Sequence, residues 1–501
     1  MSENSRRAPE ISALVGLLCL ASLLAGVLAA GPAHAQDPAR LRADVEYLAS
    51  EALEGRASGT PGADAALAHI AAKMKAIGLE PAGTDGYLMP MQAATHVGAG
   101  PTASLRIGER VLAAGVEYRP AGFSDDVAFD DEVVFAGYGL SMPALGYDDY
   151  AGLDVQKRVV LVFSGAPAHL DAGLEPIHHH QLSSEAKAAL ALAMGARALL
   201  IVNAPSHHGS NAGQRPDALY AMRPALALQG IGVAHLTARA AHSLFPTTDN
   251  KLEELQASID AAQRPASRPL AIRAQGTLDV QRRITTIYNV VGKLPTKAKS
   301  SGAPVILGAH YDGLGHGHYG SFSTAGHEIH PGADDNASGI AVLLETARQL
   351  SARPPKKGFA PIYFVALAGE EIGLRGARHM AHHLRTQSAP ADAIFVNMDM
   401  VGRLRPEGLN AATSQADTSL HTLLHATANR HRLALLLEPL HARHSDHTAF
   451  FEAGFTALNL TTGRHGDYHM PTDTIERINW AGLTAVARFV EALVRALAAG
   501  L

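Results

Sequence analysis

The sequence predicts an α/β fold: a mixed, mostly parallel sheet covered by helices on both faces, with a β-rich segment inserted into it. Three observations lead there. From Ile284 onward, short apolar runs alternate with amphipathic stretches, the pattern of buried strands joined by helical crossovers. Between about Thr102 and Leu270 the texture changes to short alternating runs separated by Gly, Pro and Asp clusters, which reads as a compact β-rich or mixed unit. At 501 residues the chain exceeds one ordinary domain, so two are expected.

The boundaries follow from these shifts. Residues 1–35 read as a secretory signal: Arg6 and Arg7 precede the apolar run Ile11 to Ala30, and small residues at Ala33 and Ala35 offer a cut after Ala35. The expected product is exported, to the periplasm or the medium. Cys19 is the one cysteine and lies inside this run, and Leu17 and Leu18 before it do not suit lipid attachment. The mature chain is thus expected to have neither thiol nor disulfide, and no membrane span, since no other apolar run reaches roughly 18 residues. Residues 36–112 then begin the main body, 113–271 form the insertion, and 272–501 complete the body.

In order, Leu41 to Leu79 reads as two helices around the loop Glu54–Gly62, the second closed by Gly78. The insertion offers strands at Ser104–Ile107, Glu132–Phe135, Arg158–Phe163 and Ala198–Val202, with an Ala-rich helix from Ser183 to Met194. Gln263–Pro269 looks like a return linker. The main body then offers strands at Ile284–Val291, Val305–Ala309, Ile362–Ala368, Ala393–Met398 and Ala457–Leu460. Helices are expected at Ser338–Leu350, Gly373–Leu384, Thr418–Arg430 and Trp480–Ala499.

Composition narrows the chemistry. Hydrophobic residues at 47% against 18% charged suit a globular core, and a net charge of −5 gives no reason to expect nucleic acid or an anionic membrane as partner. The 27 histidines matter only where their spacing fits a metal. Such spacing occurs at the strand ends, where open α/β sheets bind ligands. His310 and Asp312 end one strand, Asp334 and Asp335 open a helix, Glu370 and Glu371 follow another strand, Asp399 follows a fourth, and Tyr468-His469 lies near the C-terminus. Singly, each is an ordinary strand-end or capping residue. Together, and in this order, they point to a metal site.

The ordered set His310-x-Asp312, Gly332-x-Asp-Asp335-Asn-x-Ser-Gly339, Gly369-Glu370-Glu371-x-Gly373, Asn397-x-Asp399-Met-x-Gly402 and Tyr468-His469 resembles the co-catalytic zinc aminopeptidase family, related to glutamate carboxypeptidases and transferrin-receptor ectodomains. The resemblance implies a zinc exopeptidase-like fold and a peptidase acting on peptides with a free N-terminus. It implies two zinc ions, with His310, Asp335, Glu371, Asp399 and His469 as ligands and Asp335 as the bridge. It also implies Glu370 as general base, Asp312 as the acid orienting His310, and Tyr468 as a hydrogen-bond donor to the oxyanion. Phe135–Gly139, Gly146–Tyr150 and Val159–Val162 resemble a protease-associated domain, which would make 113–271 that domain. Physical reasoning agrees on one point: adjacent glutamates do not easily ligate one ion together, so one would ligate while its neighbour faces water.

Other readings differ in what they require. A carboxypeptidase or dipeptidase needs a basic cluster for the substrate carboxylate, and only residues such as Arg403 and Arg405 follow Asp399. A glutaminyl cyclase needs one zinc, and an inactive receptor-like module would have lost ligands or base. Arg443 and His444 stand before Ser445-Asp446-His447, where several relatives place an Arg immediately before the Ser. His316, His318, His327 and His330 are expected in a solvated loop, and His178–His180 with His207 and His208 on the surface of the insertion.

Overall fold

The computed structural model describes residues 37–500, apart from 172–180, 207–218, 220–221, 246–250, 297–301, 324–326, 356–357, 388–389, 391, 414–417 and 441–444. The expected signal segment with Cys19, the histidines 178–180 and 207–208, and Arg443 and His444 lie outside the described residues.

Four parallel strands form the centre of the main sheet, side by side in the order Ile362–Leu367, Val305–His310, Ile394–Met398 and Thr456–Thr461. Val280–Lys293 pairs antiparallel to the first of these and carries Leu88–Ala99 and Glu80–Pro81. On the other side, Leu409–Thr413 pairs antiparallel to Thr456–Thr461, and Leu435–Pro439 runs parallel beyond it. The sheet is therefore mixed with a parallel core. Leu88–Ala99, Leu409–Thr413 and Leu435–Pro439 were not expected as strands. Their Leu, Met and Ala content favours helix locally, and pairing with a neighbour overrides that weak preference.

Alternation along the central strands explains why both faces are covered. Val305, Leu307 and Ala309 point into one core, under the helices Pro38–Leu48, Pro61–Ile77, Gly339–Ala352 and Trp480–Ala498. Ile306, Val365, Leu367 and Phe395 point into the other, under Arg375–Thr386 and His447–Glu452. There Phe395 stacks on Phe450 with ring centroids 3.7 Å apart. Each buried aliphatic or aromatic side chain of this kind contributes about 1.5–3 kcal/mol. Local signals set the helix ends: Pro61 begins one helix, the Thr60 hydroxyl accepts from the Ala63 amide at 3.4 Å, and Gly78 at φ 86° closes it.

A second sheet has eight strands among the described residues, in the order Arg110–Val111, Ser104–Ile107, Arg268–Leu278, Val127–Phe135, Val159–Phe163, Ala198–Val202, Gly232–Leu236 and Tyr118–Pro120. Apolar cores lie on both of its faces. It draws strands from both sides of 113–271, and the expected return linker gives way to strand from Arg268. Among the described residues, no helix is long and apolar enough to cross a membrane.

All four parallel strands of the main sheet point their carboxyl ends toward one edge. That edge gathers His310, the turn after Leu367, Asp399 after Met398, and the loop after Thr461.

Candidate metal centre

The site is built from that edge. His310 ends its strand at 1% exposure. Its Nδ1 lies 3.1 Å from the Asp312 main-chain oxygen, which turns Nε2 toward Asp335 Oδ1 at 3.2 Å and Asp399 Oδ1 at 3.5 Å. His469 is oriented in the same way. Its Nδ1 lies 2.7 Å from the Gly320 carbonyl oxygen, and its Nε2 faces Asp335 Oδ2 at 3.5 Å and Glu371 Oε2 at 3.6 Å. Asp335 thus presents one carboxylate oxygen to each histidine.

These atoms fit metal ions. A tetrahedral zinc with bonds of about 2.0–2.2 Å holds its ligand atoms roughly 3.3–3.6 Å apart, and the four separations above lie at or within 0.1 Å of that range. His310 Nε2 and Asp399 Oδ1 are buried and make no hydrogen bond among the described residues, which is costly unless a cation joins them. Ligand atoms of His310, Asp335 and Glu371 lie within 4.8 Å of one another.

Electrostatics agrees. Burial, and then Asp335, push the Glu371 carboxyl well above the usual carboxylate range. Burial also raises Glu370 well above it, with Glu371 adding to the rise against the pull of His310. Burial disfavours a charged His310, but Asp335 and Asp399 outweigh it and raise the imidazole well above its ordinary value. Behind the site, burial raises Asp446 to about 8. Carboxylates crowded in this way call for positive charge.

Further hydrogen bonds fix the loops. The Asp312 carboxylate stands 3.7 Å from His310 Nδ1, so the main-chain oxygen of Asp312 makes the close contact and the side chain has other work. Its Oδ1 accepts from the Glu370 amide at 3.1 Å and its Oδ2 from the Ser58 hydroxyl at 3.0 Å. Asp473 Oδ2 accepts from the amides of both Asp334 and Asp335, each at 3.0 Å. Asn336 donates to the Met398 oxygen at 2.8 Å and accepts from Met400 at 3.3 Å, tying the Asp335 turn to the Asp399 loop. Asp334 accepts from the Gly402 amide at 2.6 Å and from Ser338 Oγ at 3.0 Å, and supports rather than faces the site. Tyr468 stacks on His469 with centroids 3.8 Å apart, and Phe322 meets both rings.

Of the residues singled out in the sequence, the structure brings together His310, Asp312, Asp335, Glu370, Glu371, Asp399, Tyr468 and His469, with Asp334 behind them. The expectation for His330 changes. His330 is buried, at 4% exposure, with Nε2 2.7 Å from Ser321 Oγ and Nδ1 2.9 Å from the Glu328 oxygen, so it braces its loop from inside. Arg403 is committed to Asp467 at 3.0 Å and Asp473 at 2.8 Å, and Arg405 donates to the Arg464 oxygen. Sequence reasoning gave no role to Asp473, Asn336, Ser58 or Arg56. Asn336 stood inside a quoted motif and Asp473 four residues past the last one, whereas Arg56 and Ser58 lie some 250 residues before the strand they support, and local pattern carries no such signal.

The sequence profile of peptidase family M28 matches residues 289–494. This catalytic region belongs to peptidase family M28. Every residue just named as facing the site lies within the M28 region, and the chain is a metallopeptidase. Its relatives include Aminopeptidase YwaD of Bacillus subtilis, 28% identical over 366 residues that cover 71% of this chain and 67% of that protein. A probable lipoprotein aminopeptidase, LpqL, of Mycobacterium tuberculosis is 33% identical over 118 residues, 24% of this chain and 20% of that one. Among solved structures, an aminopeptidase from Aneurinibacillus sp. strain AM-1 superposes with a TM-score of 0.59 at 22% identity, covering 92% of this chain and 93% of that one. BSAP, a zinc aminopeptidase from Bacillus subtilis, gives 0.53 at 22% identity over 92% and 95%. These two likenesses establish the shared fold.

Proposed function

We propose that this M28 peptidase is an exported zinc aminopeptidase that removes N-terminal residues from peptides. The reading rests above all on Asp335, whose two carboxylate oxygens face two separate ligand sets. His310 and Asp399 form one with Oδ1, and His469 and Glu371 form the other with Oδ2. Two zinc ions held by these sets would supply Lewis acidity, lowering the pKa of water and polarising the scissile carbonyl. Glu370, whose neighbour Glu371 points at His469, takes the proton from the attacking water on its carboxylate and delivers it to the leaving amine. Tyr468, against His469, donates to the developing oxyanion. Relatives named as aminopeptidases support release from the N-terminus.

The second sheet is proposed to be a protease-associated domain, and residues 1–35 a signal removed on export. A cyclase would use one ligand set, and here there are two. The carboxypeptidase reading loses Arg403, already bound to two acids. Hydrolysis of a panel of aminoacyl-nitroanilides, with N-acetylated peptides alongside and with and without a chelator, tests the proposal. Equal cleavage of acetylated and free peptides would exclude an aminopeptidase, and one zinc per chain by elemental analysis would exclude the pair.

A further inference from the structure

Arg56 is 1% exposed, and its guanidinium donates to main-chain oxygens. Nε reaches Tyr311 at 2.9 Å, Nη1 reaches Pro331 at 2.7 Å and also Leu48, and Nη2 reaches Gly332 at 3.1 Å. Tyr311 sits between His310 and Asp312, and Gly332 lies three residues before Asp335. One side chain therefore clasps two of the loops that carry the proposed ligands. The backbone on either side reinforces the clasp: the Gly313 amide donates to the Arg56 oxygen at 3.1 Å and the Gly315 amide to Gly55 at 3.0 Å. Arg56 itself stands at φ 52°, a left-handed conformation that a non-glycine residue keeps where its surroundings require it. A methyl group on Gly55 would meet the Gly315 and His330 oxygens, both at 2.6 Å. Two residues on, Ser58 Oγ holds Asp312, and Asp312 holds the Glu370 amide.

We propose that Arg56 and Ser58 are positioning residues of the metal centre. Arg56 sets the spacing between the His310 and Asp335 loops, and Ser58, through Asp312, sets the turn that carries Glu370. This rests on the two-zinc reading above. The cation also stands among carboxylates: Asp312, Asp335, Asp473 and Glu371 all act on it, against the burial that lowers its pKa to about 10. It remains charged at neutral pH and offsets part of their mutual repulsion. None of the hydrogen bonds named for Arg56 goes to the loops of Glu371, Asp399 or His469. Its loss is therefore felt first at the His310 set, and the loss of Ser58 at the proton-transferring turn.

The test compares Arg56→Lys, Arg56→Met, Ser58→Ala and Ser58→Thr with the parent enzyme. Lys187→Met serves as a destabilised control, because Lys187, on the helix Ser184–Ala193, is a buried amine that likewise donates to main-chain oxygens, of Tyr138, Phe163 and Gly165. Zinc retained per chain against a graded chelator, the thermal midpoint of the metal-free protein, and kcat and KM at saturating zinc are read for each. Both Arg56 variants are expected to lose one of two ions at chelator levels about tenfold lower than the parent. Ser58→Ala is expected to keep both ions and its KM while kcat falls about tenfold, with Ser58→Thr restoring much of the rate. Lys187→Met is expected to lower the midpoint and keep both ions. The proposal fails if the Arg56 variants hold zinc as the parent does or lose no more than Lys187→Met, or if Ser58→Ala keeps the parental kcat. Should Arg56→Met not fold, Arg56→Lys and Ser58→Ala decide. A parent enzyme holding a single ion would instead overturn the two-zinc reading, and the Arg56 effect would then be judged on that ion.

Discussion

His310 Nε2 and Asp399 Oδ1 face each other at 3.5 Å, both buried and neither hydrogen-bonded among the described residues. Placed so, the two atoms divide the consequences of ligand loss unequally. On the two-zinc proposal, Asp399→Ala should remove one ion and leave the His469 set occupied, whereas Asp335→Ala should remove both, because one carboxylate oxygen of Asp335 faces each set. Elemental analysis after dialysis distinguishes the two, and equal zinc content in both variants would contradict a shared bridge.

In the proposed mechanism Glu370 carries the proton but not the metal. Glu370→Gln should therefore retain both zinc ions and a parental midpoint while kcat falls by on the order of 10²–10⁴-fold. Full activity in that variant would assign the base elsewhere.

Asp473 accepts from the amides of Asp334 and Asp335 and from Arg403. Asp473→Ala leaves two buried amides without their acceptor and a guanidinium without one of its acids. Breaking a buried pair in this way costs about 3 kcal/mol, and a loosened Asp335 should weaken zinc binding by roughly 10–100-fold. Chelator titration and thermal melting check the two effects separately.

His235, on the strand Gly232–Leu236 of the second sheet, has its pKa lowered to about 3, by burial first and then by Arg119. An unfolded histidine titrates near 6.5, so between these values the unfolded chain binds the extra proton. Stability is then full above about pH 6.5 and falls as pH drops toward 3, at about 1.4 kcal/mol per unit for one group. Melting of the metal-free protein from pH 7 to pH 4 should show this decline, and His235→Gln should flatten it. An unchanged slope would mean that the histidine is not held neutral.

Much of this was legible in the sequence because it is local. The runs at Val305 and Ile362 are strands because every position is apolar, which suits a strand buried on both faces. Several proposed ligands stood out because acids and histidines directly follow apolar runs. What stayed hidden depends on partners distant in the chain. Leu435–Pro439 carries no strand signal of its own and becomes a strand by pairing with Leu409–Thr413. Asp312 looked like a partner for the His310 ring, but only folding brings Ser58 and the Glu370 amide to its carboxylate. His330 seemed one more loop histidine until Ser321 and Glu328 closed around it.

The second sheet enters and leaves the main one through two strands that already lie side by side. Ala99 pairs with Val280, and the Gly100 amide donates to the Asp279 oxygen at 2.9 Å. The whole span from 100 to 279 is thus hung from the mouth of a single hairpin. Excising it and joining the ends with a two-residue turn would preserve the pairing of Leu88–Ala99 with Val280–Lys293 residue for residue. Architecturally it is an insertion at a hairpin mouth, so a change in its length need not shift the register of Leu88–Ala99 against Val280–Lys293.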